Sequence, residues 1–485
     1  MKRTAVAPVK KSKLVVIGNG PAGFKFCEKF VKYRLEKQFD LVVYGEEHYP
    51  AYDRINLTRH FEDSVIEKLV LAPVSWYTQN KITLKTGQQV VEIDRKQRLI
   101  KTSNGAVEQY DKLILATGSA PFIPSLENRE LPGVFVYRTI DDITAIQSYI
   151  QPEHKAIVIG GGILGLEAAR ALLYAGLQTT VIEIAPHLMP RQLDVEGAAI
   201  LQQQVEQLGL SVYCSKQVTK ILGTEEVKGI TCADGTCLTA DVVIISAGIR
   251  PRDELGVRCG LQIGTNGGIV VNNYNLTSDE NIFAIGECAL AADRIWGLAA
   301  PCYEMAEVVA ARLAKIYKVF SANVLLTKLK VLEVKVVSFG DALGKHPHIP
   351  LVYRHEETGV YKRINISPDQ QYVLGGILVG EAGCYATLFH MLRNRIKITG
   401  LPAELIAPKT ETNEEKITDF PDNTIICLCE GVCKGTIVAD ILENNLTRLD
   451  EVKKMTNAGT GCESCISLLE DLLAEVSRKV LQTRS

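Results

Sequence analysis

Residues 14–36, LVVIGNGPAGFKFCEKFVKYRLE, open on a short apolar, β-branched run, pass through three glycines and continue as an amphipathic stretch. A run of that length and composition predicts a buried strand, and the stretch after the glycines predicts a helix. Gly18, Gly20 and Gly23 stand at G-x-G-x-x-G spacing. Glycine is needed where the backbone turns tightly and lets a pyrophosphate rest on free amides at the positive end of a helix. Glycine-rich turns are common, so specificity comes from order. An acid about 20 residues on is expected to accept ribose hydroxyls, and Glu46 closes the next apolar run, LVVYGE.

The same grammar recurs at 156–176, AIVIGGGILGLEAARALLYAG, with Gly160, Gly162 and Gly165 in the turn and Glu183 ending the strand TTVIEI. A carboxylate there favours the free 2′-hydroxyl of NADH, and Ile184, Ala185 and Pro186 offer no arginine for a 2′-phosphate. Between the two units, KITLKTGQQVVEIDRKQRLIKTSNG alternates as a small antiparallel sheet would, and DKLILATG reads as a further strand. VKGITCADGTCLTADVVI reads as a hairpin turning at Asp234-Gly235, with Cys232 and Cys237 as cross-strand neighbours. From about 320 to 400 the text is strand-like and ends in an apolar helix near ATLFHMLRNRIK, a separate α+β domain. APKTETNEEKITDFPDN, 407–423, reads as a linker.

With 485 residues the chain is long enough for about three domains. Charged residues make up 23% and the formal net charge is −2, so no global field favours nucleic acid or an anionic membrane. No apolar run reaches the ~18 residues of a membrane span, and the basic leader lacks the apolar segment of a signal peptide, so a cytoplasmic protein is expected. Thirteen cysteines, an odd number, argue for metal or redox chemistry over a disulfide framework. Cys427, Cys429, Cys462 and Cys465 form C-x-C and C-x-x-C pairs, four soft ligands that suit a 2Fe-2S cluster or tetrahedral zinc. Cys433 is the spare, expected on the helix after the first pair. Cys27, Cys214, Cys259, Cys288, Cys302 and Cys384 are expected as small, mostly buried side chains.

GNGPAG, Ala116-Thr117-Gly118, GGGILGLE, SAGIRP at 246–251 and AIGE at 284–287 occur in the order seen in pyridine-nucleotide-disulfide oxidoreductase-like flavoproteins. A closer resemblance, through PAYDRINL, FVYRTIDDI, LMPRQLD, IRPRDEL and FAIGECA, is to the flavoprotein part of NAD(P)H-dependent nitrite reductase large subunits and assimilatory nitrate reductase electron-transfer subunits. The resemblance implies an α/β fold with two Rossmann-like domains, FAD at 1–122 and 245–318 and NAD(H) at 123–244, then the α+β domain at 319–406. It further implies that Ala116, Thr117, Gly118, Gly248 and Gly286 line the cofactors, that Glu287 binds the flavin ribityl chain in place of the more usual Asp, and that Arg54 lies near FAD. Arg59 and Glu167 would stand at the reactive flavin edge, and the helix from Pro301 would aim its N-terminus at the flavin.

CLCEGVCKGTI with GTGCESC resembles the bacterioferritin-associated-ferredoxin-like module, which implies a small helical 2Fe-2S unit at 424–485. The catalytic disulfide of true disulfide reductases is absent, since the first helix carries Cys27 alone. The implied order is NADH, FAD, 2Fe-2S, then a separate acceptor, with a homodimer compatible. The chain stops at Ser485, before the sirohaem region of full-length relatives, so the acceptor is expected to be a separate nitrate or nitrite reductase polypeptide. A self-contained NADH oxidase or ferredoxin-type reductase, and a non-catalytic iron-sulfur sensor, are the alternatives.

Overall fold

A computed structural model describes residues 11–54, 56–58, 61, 65–321, 326–331, 334–406, 421–427, 430–460 and 465–483. The chain divides into two compact units, residues 1–121, 138–140 and 249–322 in one and the remainder in the other.

The first unit is organised by a five-stranded parallel sheet, in the order Ile282–Ala284, Lys112–Leu115, Ser12–Ile17, Phe39–Tyr44, Ile82–Lys85. Leu14, Val15 and Val16 on the central strand are fully buried, as both faces of a parallel sheet require. Helix Pro21–Lys32 follows the first glycine turn and packs on helix Ala299–Leu313, whose first turn contains Pro301. KITLK supplies the parallel edge strand Ile82–Lys85, so only Val90–Asp94, Leu99–Thr102 and Val107–Gln109 build the small antiparallel sheet expected there.

A second five-stranded parallel sheet, in the other unit, repeats the plan: Ser211–Tyr213, Gln178–Ile182, Lys155–Ile159, Val242–Ile245, Val134–Val136. Ile245 closes the strand Val242–Ile245, so the expected boundary between 244 and 245 cuts this sheet and the unit runs on to Gly248. The hairpin turns at Gly235 as expected, but Cys237 pairs with Thr231, leaving Cys232 buried and Cys237 exposed. Successive strand residues alternate faces, which separates the two thiols.

The same unit holds a five-stranded antiparallel sheet, Leu326–Val331, Val334–Gly340, Val373–Val379, Val360–Ile366 and Ile349–His355, covered by helix Tyr385–Asn394 over a core that includes Val337, Phe339, Ile364, Leu378 and Leu388. Helix Val195–Gln207 packs on this sheet. Its N-cap, Asp194, accepts hydrogen bonds from Gly197 N at 3.0 Å, Tyr361 Oη at 2.6 Å and Arg363 Nη1 at 2.9 Å. Residues 407–420 of the expected linker lie outside the described residues. The C-terminal module is a short hairpin, Ile425–Cys427 with Val432–Cys433, and helices Lys434–Glu443, Leu449–Thr456 and Ile466–Thr483. No described helix is long and apolar enough to cross a membrane.

Candidate functional site

At the first glycine turn Gly18 has φ +114°, and a Cβ there would lie 2.1 Å from the carbonyl oxygen of Ala116. A Cβ on Gly23 would lie 2.0 Å from the carbonyl oxygen of Gly18. These two glycines are required by backbone approach. Gly20 is different: a Cβ there meets nothing within 4 Å. That open side faces a helix start with no side-chain cap, leaving amide donors available to an anion. The Asn19 side-chain nitrogen is buried without a hydrogen-bond partner, while its oxygen accepts from Tyr77 Oη at 3.1 Å. An open cradle beside an orphaned donor fits a dinucleotide phosphate.

Around this turn the acids are already engaged. Arg252 grips Glu46 through both terminal guanidinium nitrogens, Nη1 to Oε1 and, at 2.7 Å, Nη2 to Oε2, and this holds the Glu46 carboxyl below its ordinary pKa against the opposing effect of burial. Glu47 accepts from Tyr52 Oη at 2.7 Å and from Arg54, whose Nη1 reaches the carbonyl oxygen of Arg138 at 3.1 Å. Glu287, in a short 3-10 turn after strand Ile282–Ala284, takes hydrogen bonds on one oxygen from Ser119 Oγ and Arg138 Nη2, both at 2.5 Å. Gly118 and Gly286 hold positive φ values of +71° and +78°. Thus Arg54, Gly118 and Glu287 belong to one first-unit neighbourhood, while Arg59 lies outside the described residues. Sequence reasoning missed Arg252, Arg138 and Ser119. Ser119 directly follows Ala116-Thr117-Gly118, and Arg138 sits inside FVYRTIDDI, which were the available signals.

The second turn copies the first. Gly160 has φ +118° and its Cβ would lie 2.3 Å from the carbonyl oxygen of Ser246; that of Gly165 would lie 1.8 Å from the carbonyl oxygen of Gly160. Gly162, like Gly20, has nothing within 4 Å, and helix Ile163–Tyr174 again starts without a side-chain cap. Glu183 is 7% exposed, so it is not a solvated strand-end charge. Its two oxygens accept from the backbone amides of Gly161 at 2.6 Å and Ala185 at 2.7 Å. Gly248 has φ +121° and its carbonyl oxygen accepts from Phe122 N at 2.8 Å. Glu167 is half-buried on helix Ile163–Tyr174.

Of the four paired cysteines, Cys427 ends strand Ile425–Cys427 and Cys465 immediately precedes helix Ile466–Thr483; both are buried. Cys429 and Cys462 lie outside the described residues. Cys433 is not on the helix: it ends strand Val432–Cys433 and stands at the N-cap position of helix Lys434–Glu443, its Sγ 3.2 Å from Thr436 Oγ1. Cys27, Cys288, Cys302 and Cys384 are buried, and Cys214 and Cys259 are half-buried. Burial pushes the Cys27 thiol far above its ordinary pKa, which suits a packing role.

Residues 12–308 match the model of the pyridine nucleotide-disulphide oxidoreductase family. The chain belongs to that family. Residues 425–475 match the BFD-like [2Fe-2S] binding domain. Over 467 residues, 96% of this chain and 49% of the relative, it is 42% identical to a nitrite reductase [NAD(P)H] large subunit from Klebsiella oxytoca. It is 34% identical over 467 residues to an assimilatory nitrate reductase electron transfer subunit from Bacillus subtilis, covering 96% of this chain and 60% of that one. The chain therefore spans about half the length of the curated relatives it matches. Among solved structures, a ferredoxin reductase from Rhodopseudomonas palustris superposes with TM-score 0.74 at 24% identity over 82% of this chain and 98% of that one, which shows the shared fold.

As a pyridine nucleotide-disulphide oxidoreductase-type chain with a BFD-like domain, the protein has FAD, a nicotinamide dinucleotide and a 2Fe-2S cluster as its cofactors. The open faces at Gly20 and Gly162 and the buried thiols at Cys427 and Cys465 fit those groups. Despite the family name, helix Pro21–Lys32 carries the single thiol of Cys27 and so no C-x-x-x-x-C pair.

Proposed function

We propose that this chain carries electrons from NADH through FAD and a 2Fe-2S cluster to an acceptor on a separate polypeptide, a nitrate- or nitrite-reducing protein. When bound, the flavin takes two electrons together from NADH and passes them singly to the cluster. The observation that carries the reading is the presence of two glycine turns of the same geometry, each open at its middle glycine, in one chain with a cluster-binding module. A lone sensor would need only the module.

In this reading the amides after Gly18 and Gly20 hold the FAD pyrophosphate, with Gly23 packing the helix beneath, and Glu46 takes the adenosine ribose. Glu287, oriented by Ser119 and Arg138, takes the ribityl chain. Ala116, Thr117, Gly118, Gly286 and Arg54 line the flavin domain, Gly248 closes the nicotinamide domain, and Arg59 and Glu167 serve the flavin edge. Gly160, Gly162 and Gly165 receive NADH, and Glu183 discriminates against NADPH because its buried carboxylate would meet the 2′-phosphate as a like charge. Cys427, Cys429, Cys462 and Cys465 supply the four thiolates of the cluster, and Cys433 is dispensable. The expected domains, 1–122 with 245–318, 123–244, 319–406, and the module 424–485 after its linker, carry these tasks, with the second boundary moved to 248. That the Bacillus subtilis relative is an assimilatory nitrate reductase electron transfer subunit supports a separate acceptor.

An anaerobic stopped-flow trace with NADH tests this. Flavin bleaching followed by cluster reduction is expected, and the reduced protein should consume nitrate or nitrite only after the cognate reductase is added. Bleaching with no cluster reduction would point to an NADH oxidase. No bleaching at all would leave the sensor reading.

A further inference from the structure

Ligands of an open parallel sheet bind beyond the carboxyl ends of its strands. In the first sheet the central strand Ser12–Ile17 runs into the glycine turn, flanked by Lys112–Leu115 on one side and Phe39–Tyr44 on the other. The segment Ala116–Gly118 extends one neighbour and Gly45-Glu46 the other; a Cβ on Gly45 would lie 3.2 Å from the Asn19 Cβ. Arg252 is fixed to the first of these segments: its amide donates to the carbonyl oxygen of Gly118 at 3.0 Å, and its own carbonyl oxygen accepts from Thr117 Oγ1 at 2.6 Å. Its guanidinium reaches Glu46 on the second. The bridge therefore spans from one side of the central strand to the other, over the turn.

We infer that Arg252 is a positioning residue for FAD: its bridge to Glu46 forms a strap across the adenosine end of the flavin site and slows the loss of FAD. The inference rests on the reading of the first turn as the FAD site. Two-point pairing between a planar guanidinium and a carboxylate fixes direction as well as distance. It therefore aims the Glu46 oxygens, which besides Arg252 take only a long contact from Gln89 Nε2 at 3.5 Å among the described residues and keep acceptor capacity for ribose hydroxyls. The side chains are 31% and 36% exposed, so the strap is reached by salt and can open. Arg252 also follows the whole nicotinamide-binding segment in the chain. The strap is thus completed only after both glycine turns have been laid down.

The test is the rate at which holoprotein releases FAD on dilution, read by the rise of free flavin fluorescence. Arg252→Gln should release FAD roughly tenfold faster, as loss of a charged hydrogen-bonding pair would give. Arg252→Lys, with one donor direction in place of the fork, should fall between. Because the residue acts through Glu46, Arg252→Gln should add less than about twofold in a Glu46→Gln background, the signature of a shared interaction. Release from the unaltered protein should quicken with added salt, a readout that needs no variant. Unchanged release in Arg252→Gln, or equal effects of that change with and without Glu46, overturns the strap and leaves the FAD site standing. A folded natural chain that carries no FAD overturns both.

Discussion

At the first glycine turn the acid of the neighbouring strand is bridged to Arg252, 206 positions along the chain. At the second, Glu183 is buried and takes both of its hydrogen bonds from amides of its own turn region, Gly161 and Ala185. The backbones are otherwise near copies, down to a Cβ clash within 2.3 Å at Gly18 and Gly160 and open space at Gly20 and Gly162. With FAD at the first turn and NADH at the second, as proposed, the contrast matches what the two sites must do. A resident flavin gains from an acid gripped by a distant charge, since the grip adds a barrier to leaving. A nicotinamide dinucleotide that arrives oxidised or reduced and departs each cycle gains from an acid oriented in advance by fixed backbone dipoles, with nothing to open.

The largest effect should come from the glycines, and it separates space kept for backbone from space kept for ligand. Gly18→Ala and Gly160→Ala place a Cβ against a carbonyl oxygen at positive φ, and each should unfold its own turn. Gly20→Val should leave a folded protein that purifies without FAD, and Gly162→Val one that keeps FAD but is no longer bleached by NADH. Circular dichroism and flavin absorbance on the four variants check this. Stoichiometric FAD in folded Gly20→Val would break the parallel.

A smaller effect concerns the two carboxylates. NADH should be favoured over NADPH in kcat/KM by at least about tenfold, equivalent to ~1.4 kcal/mol. Glu183→Gln should narrow that ratio by a similar factor. It should also loosen the turn, because the amide side chain presents a donor to one of the two backbone amides that the carboxylate now satisfies. Glu46→Gln should leave the cofactor ratio alone. An equal shift in both variants would remove the division of labour.

How much of this was legible in the sequence depends on the range over which each feature is determined. Strand, turn and helix are local, so the strands and helices around both glycine turns, the antiparallel sheet from residue 326 and the helices after Cys433 fall where residue patterns place them. The partners of the acids are not local. Arg252 stands 206 positions from Glu46 and Arg138 stands 149 from Glu287, and no period announces such pairs. Short elements misled for another reason. Four alternating residues, Ile82–Lys85, read alike as a parallel edge or an antiparallel strand. A shift of one residue in the hairpin moved Cys237 opposite Thr231. Cys433 fell on the cap position instead of the helix because the two-residue strand Val432–Cys433, paired to Ile425–Cys427, uses it first.

Acid pH should expose the difference between the two grips. The hydrogen bond from Arg252 lowers the folded-state pKa of Glu46, so its contribution is fully present above the ordinary glutamate value of about 4.3 and is lost as pH falls through the lower folded value. FAD retention, measured by flavin fluorescence, should therefore stay flat through the ordinary glutamate range and decline only as pH falls through the lower folded value. In Arg252→Gln the decline should begin at higher pH, because the depression is gone. Coincident profiles would mean that Arg252 does not hold the Glu46 charge.

The smallest expected effect lies where the second dinucleotide unit is held from outside. Asp194 caps helix Val195–Gln207 and accepts from Tyr361 and Arg363 on the antiparallel sheet, and Gly197 keeps the approach tight, since a Cβ there would lie 3.0 Å from both Asp194 Oδ1 and the Tyr361 ring. The Tyr361 phenol is pushed well above its ordinary pKa, by burial first and by Asp194 second, so it remains a neutral donor at every pH the protein meets. Tyr361→Phe removes that donor while Arg363 and the Gly197 amide still satisfy the carboxylate, so the loss should be about 1 kcal/mol in urea unfolding. NADH affinity should not change, because Glu183 is oriented by its own turn and owes nothing to the clamp. A fall in NADH affinity with unchanged stability would show that the second acid, like the first, depends on a distant residue, and the distinction between the two turns would no longer hold.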